Sequence, residues 1–187
     1  GGLGEKPEWD RTIVERNVRH VEFYRNNVSV TLWSAGNETG HGDCFRHAIA
    51  AIRKADASRP IHWERGNADA DVDSTMYPAV DWLELRGRLG DGQLDSIPKG
   101  CEIDGGGGDN PQTRGKAFFL CEYAHAMGNA MGNFKEYWDV FYRHDSLSGG
   151  CIWDWADQAV WKATGTGERY LAYGGDFDEE PNDGPFN

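Results

Sequence analysis

The sequence predicts an α/β fold built on a parallel sheet. Short apolar, β-like runs alternate along the chain with helical segments, a pattern typical of parallel sheets covered by helices. Two of the runs lead into a glutamate: Glu38 follows the run 28–36, and Glu122 ends the run 117–122. Because an unpaired charge at the end of a buried strand is costly to desolvate, these carboxylates indicate chemistry at the carboxyl ends of the strands.

The first half of the chain contains two predicted helices and three predicted strands. In the first helix, Val14, Val18 and Val21 recur on one face, as expected for an amphipathic helix. The second helix can begin at Asp43, whose carboxylate is suited to capping the free N–H groups of the first turn. The predicted helices are 10–25 and 43–55, and the predicted strands are 28–36, 61–63 and the weaker 72–78.

The second half repeats the alternation around a glycine-rich loop of roughly 90–115. Gly105 to Gly108 stand in a row within this loop, and such a run cannot bury a core. Phe134, Trp138 and Phe141 recur at helical spacing further on. The predicted helices are 81–88 and about 131–143, and the predicted strands are 117–122 and 151–155, followed by a glycine-rich tail.

Five predicted parallel strands fit two architectures. They could form a doubly wound sheet, or they could be the last five strands of an eight-stranded barrel whose first three strands are missing. The chain has 187 residues, which is short for a whole barrel of about 250 residues. Composition alone does not choose between the two.

Composition does exclude some partners. The net charge of −12, from 31 acidic and 19 basic residues, disfavours nucleic acid and anionic membranes. The 8 Trp residues fit either sugar binding, in which a flat ring stacks on the apolar face of a sugar, or ordinary core packing.

The sequence favours a cytoplasmic location. Its 4 cysteines have neither metal-ligand nor redox spacing, which favours a reducing compartment. No basic and apolar leader is visible at the start, and no apolar run approaches the roughly 20 residues of a membrane span. The cysteines are Cys44, Cys101, Cys121 and Cys151.

Four segments carry a resemblance to a known family. They read SAGNETGHG (34–42), LCEYAHAMGN (120–129), GGCIWDWADQ (149–158) and YGGDFDEEPND (173–183). In order and spacing they resemble the acid/base segment, the nucleophile segment and the two following segments of glycoside hydrolase family 2 β-galactosidases. The second segment is the most specific and is similar to the long bacterial enzymes, whereas Asn-Glu alone occurs in many barrel glycosidases. The resemblance covers nearly the whole chain apart from the glycine-rich loop.

The resemblance implies that residues 1–187 are part of a (β/α)8 barrel, from about strand four to strand eight. It makes Glu122 the nucleophile and Glu38 the acid/base of a retaining β-galactosidase, which acts through a covalent galactosyl–enzyme. Such a mechanism requires the two carboxyl groups to lie about 5–5.5 Å apart. The implied substrates are β-galactosides such as lactose, cleaved at terminal non-reducing galactose.

Further residues gain roles only through the resemblance. Taken alone, Asn37 could cap a turn, Tyr77 could pack on Pro78, His125 could be a satisfied core histidine and Trp153 could be core. A role for His41 stays open. The resemblance implies that substrate is bound by Asn37, Tyr77, Glu122, Tyr123, Ala124, His125 and Trp153.

Mg²⁺ and Na⁺ are also implied by the resemblance, and both are hard cations that prefer oxygen ligands. Glu38 matches one Mg²⁺ ligand, Asn182 matches a ligand of a second Mg²⁺, and the backbone carbonyl of Phe186 matches a Na⁺ ligand. The other ligands are expected outside this chain, which resembles a fragment of a homo-oligomeric enzyme and is expected to be inactive alone. A non-catalytic galactoside-binding homologue and a family 2 glycosidase of other sugar specificity remain alternatives.

Overall fold

A computed structural model describes residues 2–101, 114–126, 131–156, 158–178 and 180–182. Two short 3-10 turns, Leu3–Glu5 and Pro7–Trp9, precede the first helix. The helices are α1 (Asp10–Tyr24), α2 (Asp43–Ala55), α3 (Val80–Gly90) and α4 (Phe134–Phe141). The strands are β1 (Trp33–Ser34), β2 (Ile61–His62), β3 (Asp73–Met76), β4 (Phe118–Tyr123), β5 (Leu147–Ile152), β6 (Val160–Ala163) and β7 (Arg169–Ala172).

The first five strands are parallel, as the sequence predicts. β1 pairs with β2, and β4 lies between β3 and β5 in a second ladder. Because the strands run in the same direction, their carboxyl ends lie at one edge, where Met76 faces Glu122 and Tyr123 faces Ile152 across the ladders. Among the described residues the two ladders do not close into a barrel.

Helices cover the strands and form two apolar cores. α2 packs against α1 and buries Phe45, Ile49 and Ile52, and its observed bounds confirm the predicted helix 43–55. A second core joins α3 and α4 to β4 through Leu83, Phe118 and other apolar side chains. Burial of such side chains is the main stabilising contribution available to the fold.

Asp43 does not cap α2 as predicted. Gly42 holds the cap position without a side-chain hydrogen bond, at a φ of 144° that glycine tolerates best. The Asp43 carboxylate instead pairs with Arg46 across one helical turn, at 2.8 Å.

The predicted strand 28–36 is much shorter in the structure. Only Trp33 and Ser34 form β1, and the side chain of Val28 is 93% exposed. The side-chain oxygen of Asn27 accepts hydrogen bonds from the backbone N–H and the hydroxyl of Ser29, at 3.3 and 2.8 Å. This local turn competes with an extended conformation, which explains why apolar alternation overestimated the strand.

The last predicted strand is displaced, and a hairpin follows it that the sequence analysis missed. β5 ends at Ile152, so Trp153 follows the strand rather than forming its centre. β6 and β7 then pair antiparallel from Val160 with Ala172 to Ala163 with Arg169. Gly167 has a φ of 87° in the connecting turn, a conformation that favours glycine.

Two further expectations concern the glycine-rich loop and membranes. Residues 91–101 are irregular, as predicted, whereas Gly105 to Gly108 lie outside the described residues. No helix in the described ranges combines the length and apolar character needed to cross a bilayer.

Candidate functional site

The nucleophile candidate Glu122 lies beside Tyr77 at the carboxyl ends of β3 and β4. The backbone N–H of Tyr77 donates to the Glu122 carbonyl oxygen at 2.9 Å, which continues the parallel ladder past the end of β3. The Tyr77 hydroxyl donates a hydrogen bond to Glu122 Oε1. One carboxylate oxygen of Glu122 is therefore held by the phenol.

Glu38 approaches the same place from the loop after β1. Burial, the hydrogen bond to Glu122, and the negative charges of Glu122 and Glu38 all raise the pKa of the Tyr77 phenol. The charge of Glu38 therefore acts on the same phenol that donates to Glu122. The structure thus brings together the two glutamates that the sequence places far apart.

A cavity of about 630 Å³ extends from this strand edge into the space between the strands. Asn37, Glu122 and Trp153 line it, which groups three of the predicted substrate-binding residues. Its inner wall consists of side chains from the parallel strands, including Ser34, His62, Phe119, Cys121 and Ile152.

Backbone strain is concentrated at the same edge. Glu38, Arg65, Tyr77 and Ala124 have φ values of 51°, 60°, 48° and 54°. Residues that carry a Cβ are disfavoured in this left-handed region, and those that adopt it cluster at functional sites. Each of the four lies one to four residues after the end of a parallel strand.

His125 and Trp153 extend the site past β4 and β5. The centroid of the His125 ring lies 6.1 Å from that of the Tyr77 ring and 6.4 Å from that of the Trp153 ring. The backbone N–H of Trp153 donates to the Tyr123 carbonyl at 2.9 Å, and the Trp153 carbonyl accepts from the backbone N–H of Ala126 at 3.1 Å. These bonds join the segment after β5 to the segment that carries Ala124 and His125.

The Tyr123 side chain faces away from the site. It is 1% exposed, stacks on Phe134 at 6.0 Å, and accepts a hydrogen bond at its hydroxyl from Trp138 Nε1 at 3.0 Å. The β4–β5 ladder shifts register between Leu120 and Tyr123, which breaks strict alternation. Cys121 and Glu122 therefore both line the cavity, while the Tyr123 ring faces α4. The predicted substrate contact of Tyr123 therefore cannot come from its ring in this arrangement, and the physical role of the ring is packing.

A buried polar chain supports the strands beneath the cavity and was not predicted. His62 Nδ1 lies 2.9 Å from the Ser34 hydroxyl, and Nε2 lies 2.9 Å from the Ser74 hydroxyl. The Ser74 hydroxyl donates to Asn67 Oδ1 at 3.0 Å. Burial lowers the pKa of His62 to about 4, so the imidazole is neutral at pH 7 and links β1, β2 and β3 without a charge.

Glu64 is a third strand-end carboxylate that the sequence analysis missed. It follows the apolar run Ile61–Trp63, the same signal that identifies Glu38 and Glu122. Glu64 is 4% exposed, and its Oε2 accepts the backbone N–H of Glu38 at 2.9 Å.

The described residues do not assemble a complete metal centre of the acidic, histidine or cysteine type. Among them, no three such side chains are grouped closely enough to hold an ion. Glu38 and Asn182, which were predicted as Mg²⁺ ligands, lie within the described residues, whereas Phe186 lies outside them. His41 contacts Trp63, with 6.2 Å between the ring centroids, and lines a different cavity with Asp10 and Cys44.

Comparisons with known proteins place these features in a family. Residues 2–187 match the family model described as glycosyl hydrolases family 2, TIM barrel domain. The chain is 40% identical over 187 residues to β-galactosidase 2 of Enterobacter cloacae and 37% identical over 188 residues to β-galactosidase of Priestia megaterium. These alignments cover 98% of this chain but only 17% and 16% of the two relatives.

The fold resembles a solved structure of the same family. A family 2 β-galacturonidase from Eisenbergiella tayi, bound to galacturonate, matches with a TM-score of 0.53 and 15% identity. The match covers 79% of this chain and 30% of that chain. At this identity the likeness shows the fold alone.

Proposed function

Because this chain belongs to the TIM barrel domains of glycosyl hydrolase family 2, we propose that it carries the catalytic carboxylates of a retaining β-galactosidase. The observation that carries the proposal is that both glutamates follow parallel strands at one edge, where the Tyr77 hydroxyl donates to Glu122 and its pKa is raised by the charge of Glu38. The identity to relatives named β-galactosidase, 40% and 37%, supports the choice of sugar.

In the first step, Glu122 attacks the anomeric carbon of galactose. The bond to the leaving oxygen breaks, Glu38 gives its proton to that oxygen, and galactose becomes an ester of Glu122. In the second step, Glu38 takes a proton from water, the water oxygen attacks the anomeric carbon, and Glu122 leaves as a carboxylate. Two inversions at the same carbon retain its configuration.

Tyr77 orients the nucleophile in this scheme. Its hydroxyl donates to Glu122 Oε1, which leaves Oε2 to attack the sugar. Because the pKa of the phenol is raised, Tyr77 keeps its proton at neutral pH and remains a donor. In this proposal, His125 and Trp153 contact the bound sugar, with Trp153 as a flat platform beneath it.

The lining of the cavity favours a neutral sugar over a uronic acid. A uronate needs a cation near its carboxylate, yet neither Arg nor Lys is among the described residues that line this cavity. Two histidines, His20 and His62, also line the cavity, and burial keeps His62 neutral at pH 7. The physical chemistry of these residues therefore supports galactose rather than galacturonate as the substrate.

Covalent labelling tests the role of Glu122. In the full-length protein that contains this chain, a 2-fluorogalactoside with a good leaving group should trap the ester on Glu122, read by peptide mass spectrometry. The Glu122→Gln variant should stay unlabelled and nearly inactive. Label on another residue would remove Glu122 from the mechanism, and binding of galactosides without label or turnover would indicate a non-catalytic homologue.

A panel of aryl glycosides tests the sugar. Galactoside, galacturonide and glucuronide with the same leaving group should be turned over with kcat/KM highest for the galactoside. A higher kcat/KM for either uronide would show that a cation absent from the described lining decides specificity, and would overturn the galactosidase assignment while leaving the family intact.

Mg²⁺ and Na⁺ remain part of the proposal. Glu38 would contribute one oxygen to Mg²⁺, Asn182 one oxygen to a second Mg²⁺, and Phe186 a carbonyl to Na⁺, with further ligands from outside the described residues. Removal of divalent ions with EDTA should lower kcat, and added Mg²⁺ should restore it. Full activity after exhaustive chelation would exclude a role for Mg²⁺.

A further inference from the structure

Glu64 is a buried carboxylate with two partners, both in the catalytic edge. Its Oε2 accepts the backbone N–H of Glu38, and its Oε1 accepts Arg65 Nε, each at 2.9 Å. The side chain is 4% exposed. A carboxylate this deeply buried is costly unless charge-assisted hydrogen bonds compensate it, so the position of Glu64 is tied to these two contacts.

Glu64 and its neighbour Trp63 hold the Glu38 loop at three points. The Glu64 N–H donates to the Gly36 carbonyl at 3.1 Å, and Glu64 Oε2 accepts from the Glu38 N–H. Trp63 Nε1 donates to the Thr39 hydroxyl at 3.0 Å, while the Trp63 ring is fully buried. The contacts lie on both sides of Glu38 along the chain, so the segment after β2 acts as a template for the segment after β1.

The backbone of Glu38 needs such support. Its φ of 51° lies in the left-handed region, which disfavours a residue with a Cβ. The direction of the Cα–Cβ bond, and hence of the carboxylate, depends on that conformation. The bond to Glu64 fixes the N–H at the one residue whose side chain must meet the leaving-group oxygen.

We propose that Glu64 is a positioning residue, which holds Glu38 in the left-handed conformation that directs its carboxylate at the leaving group. This inference rests on the proposed role of Glu38 as acid/base. If Glu64 served only to stabilise the fold, its loss would affect every substrate alike. If it acts through Glu38, its loss affects the substrates that need protonation of the leaving oxygen.

The test compares lactose with 2,4-dinitrophenyl β-galactoside in the full-length protein. Glu64→Ala should lower kcat/KM for lactose by about 10- to 100-fold, because a catalytic group is misplaced. It should lower kcat/KM for the dinitrophenyl substrate, whose leaving group needs no proton, by less than about threefold. Glu64→Gln keeps the shape and one acceptor but meets Arg65 with an amide donor, so its effect on lactose should be intermediate.

Asn67→Ala is the matched control. Asn67 is 2% exposed, and its Oδ1 accepts the backbone N–H of Ser74 at 3.1 Å, so the variant also removes a buried side-chain acceptor of a backbone donor. Asn67 does not contact Glu38, and its replacement should change kcat/KM for both substrates by the same factor. An equal loss on both substrates in the near-isosteric Glu64→Gln variant would overturn the proposal, even if Glu64→Ala does not fold.

A double variant separates this proposal from the proposed function. Glu38→Ala alone should impair lactose far more than the dinitrophenyl substrate, and added azide should restore turnover of the latter as β-galactosyl azide. With Glu38 already replaced, Glu64→Ala should change kcat/KM for either substrate by no more than about twofold. If Glu38→Ala shows no leaving-group dependence, the acid/base assignment fails. If it does and the Glu64 variants do not, only the role of Glu64 fails.

Discussion

At the residue scale, the chain holds the two glutamates proposed to be catalytic by different means. Glu122 is restrained through its side chain by the Tyr77 hydroxyl, while Glu38 is restrained through its backbone by Glu64. A nucleophile must present one defined oxygen, which a donor on the other oxygen achieves. An acid/base group must exchange a proton in both steps, which a restraint on its backbone rather than on its carboxylate permits.

Tyr77→Phe tests the first restraint. The loss of a single donor to the reacting carboxylate should lower kcat by about 100-fold, with KM changed less, because the bond strengthens in the second step as Glu122 regains its charge on leaving. Tyr137→Phe is the control, since the Tyr137 hydroxyl donates to the Pro78 carbonyl rather than to a carboxylate. Steady-state kinetics that show equal losses in both variants would remove Tyr77 from the mechanism.

His62 makes the stability of the strand edge sensitive to acid. Its folded-state pKa of about 4 lies below the ordinary value of 6.5, so the folded state binds fewer protons. The contribution of His62 to the free energy of unfolding is therefore fully present above pH 6.5 and falls as the pH drops toward 4, by about 2 kcal/mol between pH 7.5 and pH 5. The other groups facing the ring are the uncharged Ser34, Ser74 and Phe119.

Urea unfolding at both pH values measures this loss. His62→Gln should be less stable than the natural protein at pH 7.5, because its hydrogen bonds are weakened. Its free energy of unfolding should nevertheless decrease less between pH 7.5 and pH 5. His47→Gln, which changes an exposed histidine, should keep the full acid-dependent loss. Identical acid dependence in the His62 variant and the natural protein would contradict the assignment.

Much of the site could be predicted from the sequence, because strand-end position is a local signal. Glu38 and Glu122 follow from that signal together with their motifs. Glu64 carries the same signal, but without a motif it cannot be told from a surface carboxylate. The burial of the Tyr123 ring follows the register shift between Leu120 and Tyr123, which a sequence motif does not reveal.

At the element scale, prediction succeeded where one face of an element is buried along its whole length. α2 has five buried side chains at helical spacing, and its observed bounds agree with those predicted. β1 failed because the turn at Asn27 and Ser29 is stabilised by side-chain hydrogen bonds, which hydrophobicity does not register. The β6–β7 hairpin was missed because its strands bury little, with Val160 and Trp161 both more than half exposed.

The β4–β5 ladder places a strict limit on side-chain size. A Cβ at Gly150 would lie 2.7 Å from Leu120 Cβ and 2.8 Å from the Leu120 carbonyl oxygen. Gly150→Ala must displace β4 two residues before Glu122, at a cost of about 1–3 kcal/mol. We expect a lower melting temperature and a lower kcat.

Gly165→Ala is the control for this substitution. A Cβ at Gly165 meets no atom within 4 Å, and the position lies in the β6–β7 turn. Thermal denaturation and steady-state kinetics should show little change from the natural protein. If Gly150→Ala behaves like Gly165→Ala, then the close approach of β5 to β4 does not set the position of the nucleophile.

At the scale of the whole molecule, the chain spans about one sixth of the length of its curated relatives. The described strands form ladders of two and three, each with strands that lack a neighbour on one side within the described residues. The choice between a doubly wound sheet and a barrel came from the motifs and not from hydrophobic pattern, because both architectures use the same alternation. Many folds share a similar net charge and hydrophobic periodicity, whereas a catalytic motif is specific to one family.

The arrangement predicts that residues 1–187 expressed alone do not hydrolyse β-galactosides at a measurable rate. The cavity beside Glu122 is open among the described residues, so substrate would lack the binding energy that positions galactose against the nucleophile. Unpaired strand edges also invite association between chains, which the charge of −12 opposes but does not prevent. The purified chain should be assayed with a chromogenic galactoside beside its Glu122→Gln variant. Activity above that variant, together with a cooperative thermal transition, would show that these 187 residues form a complete catalytic unit.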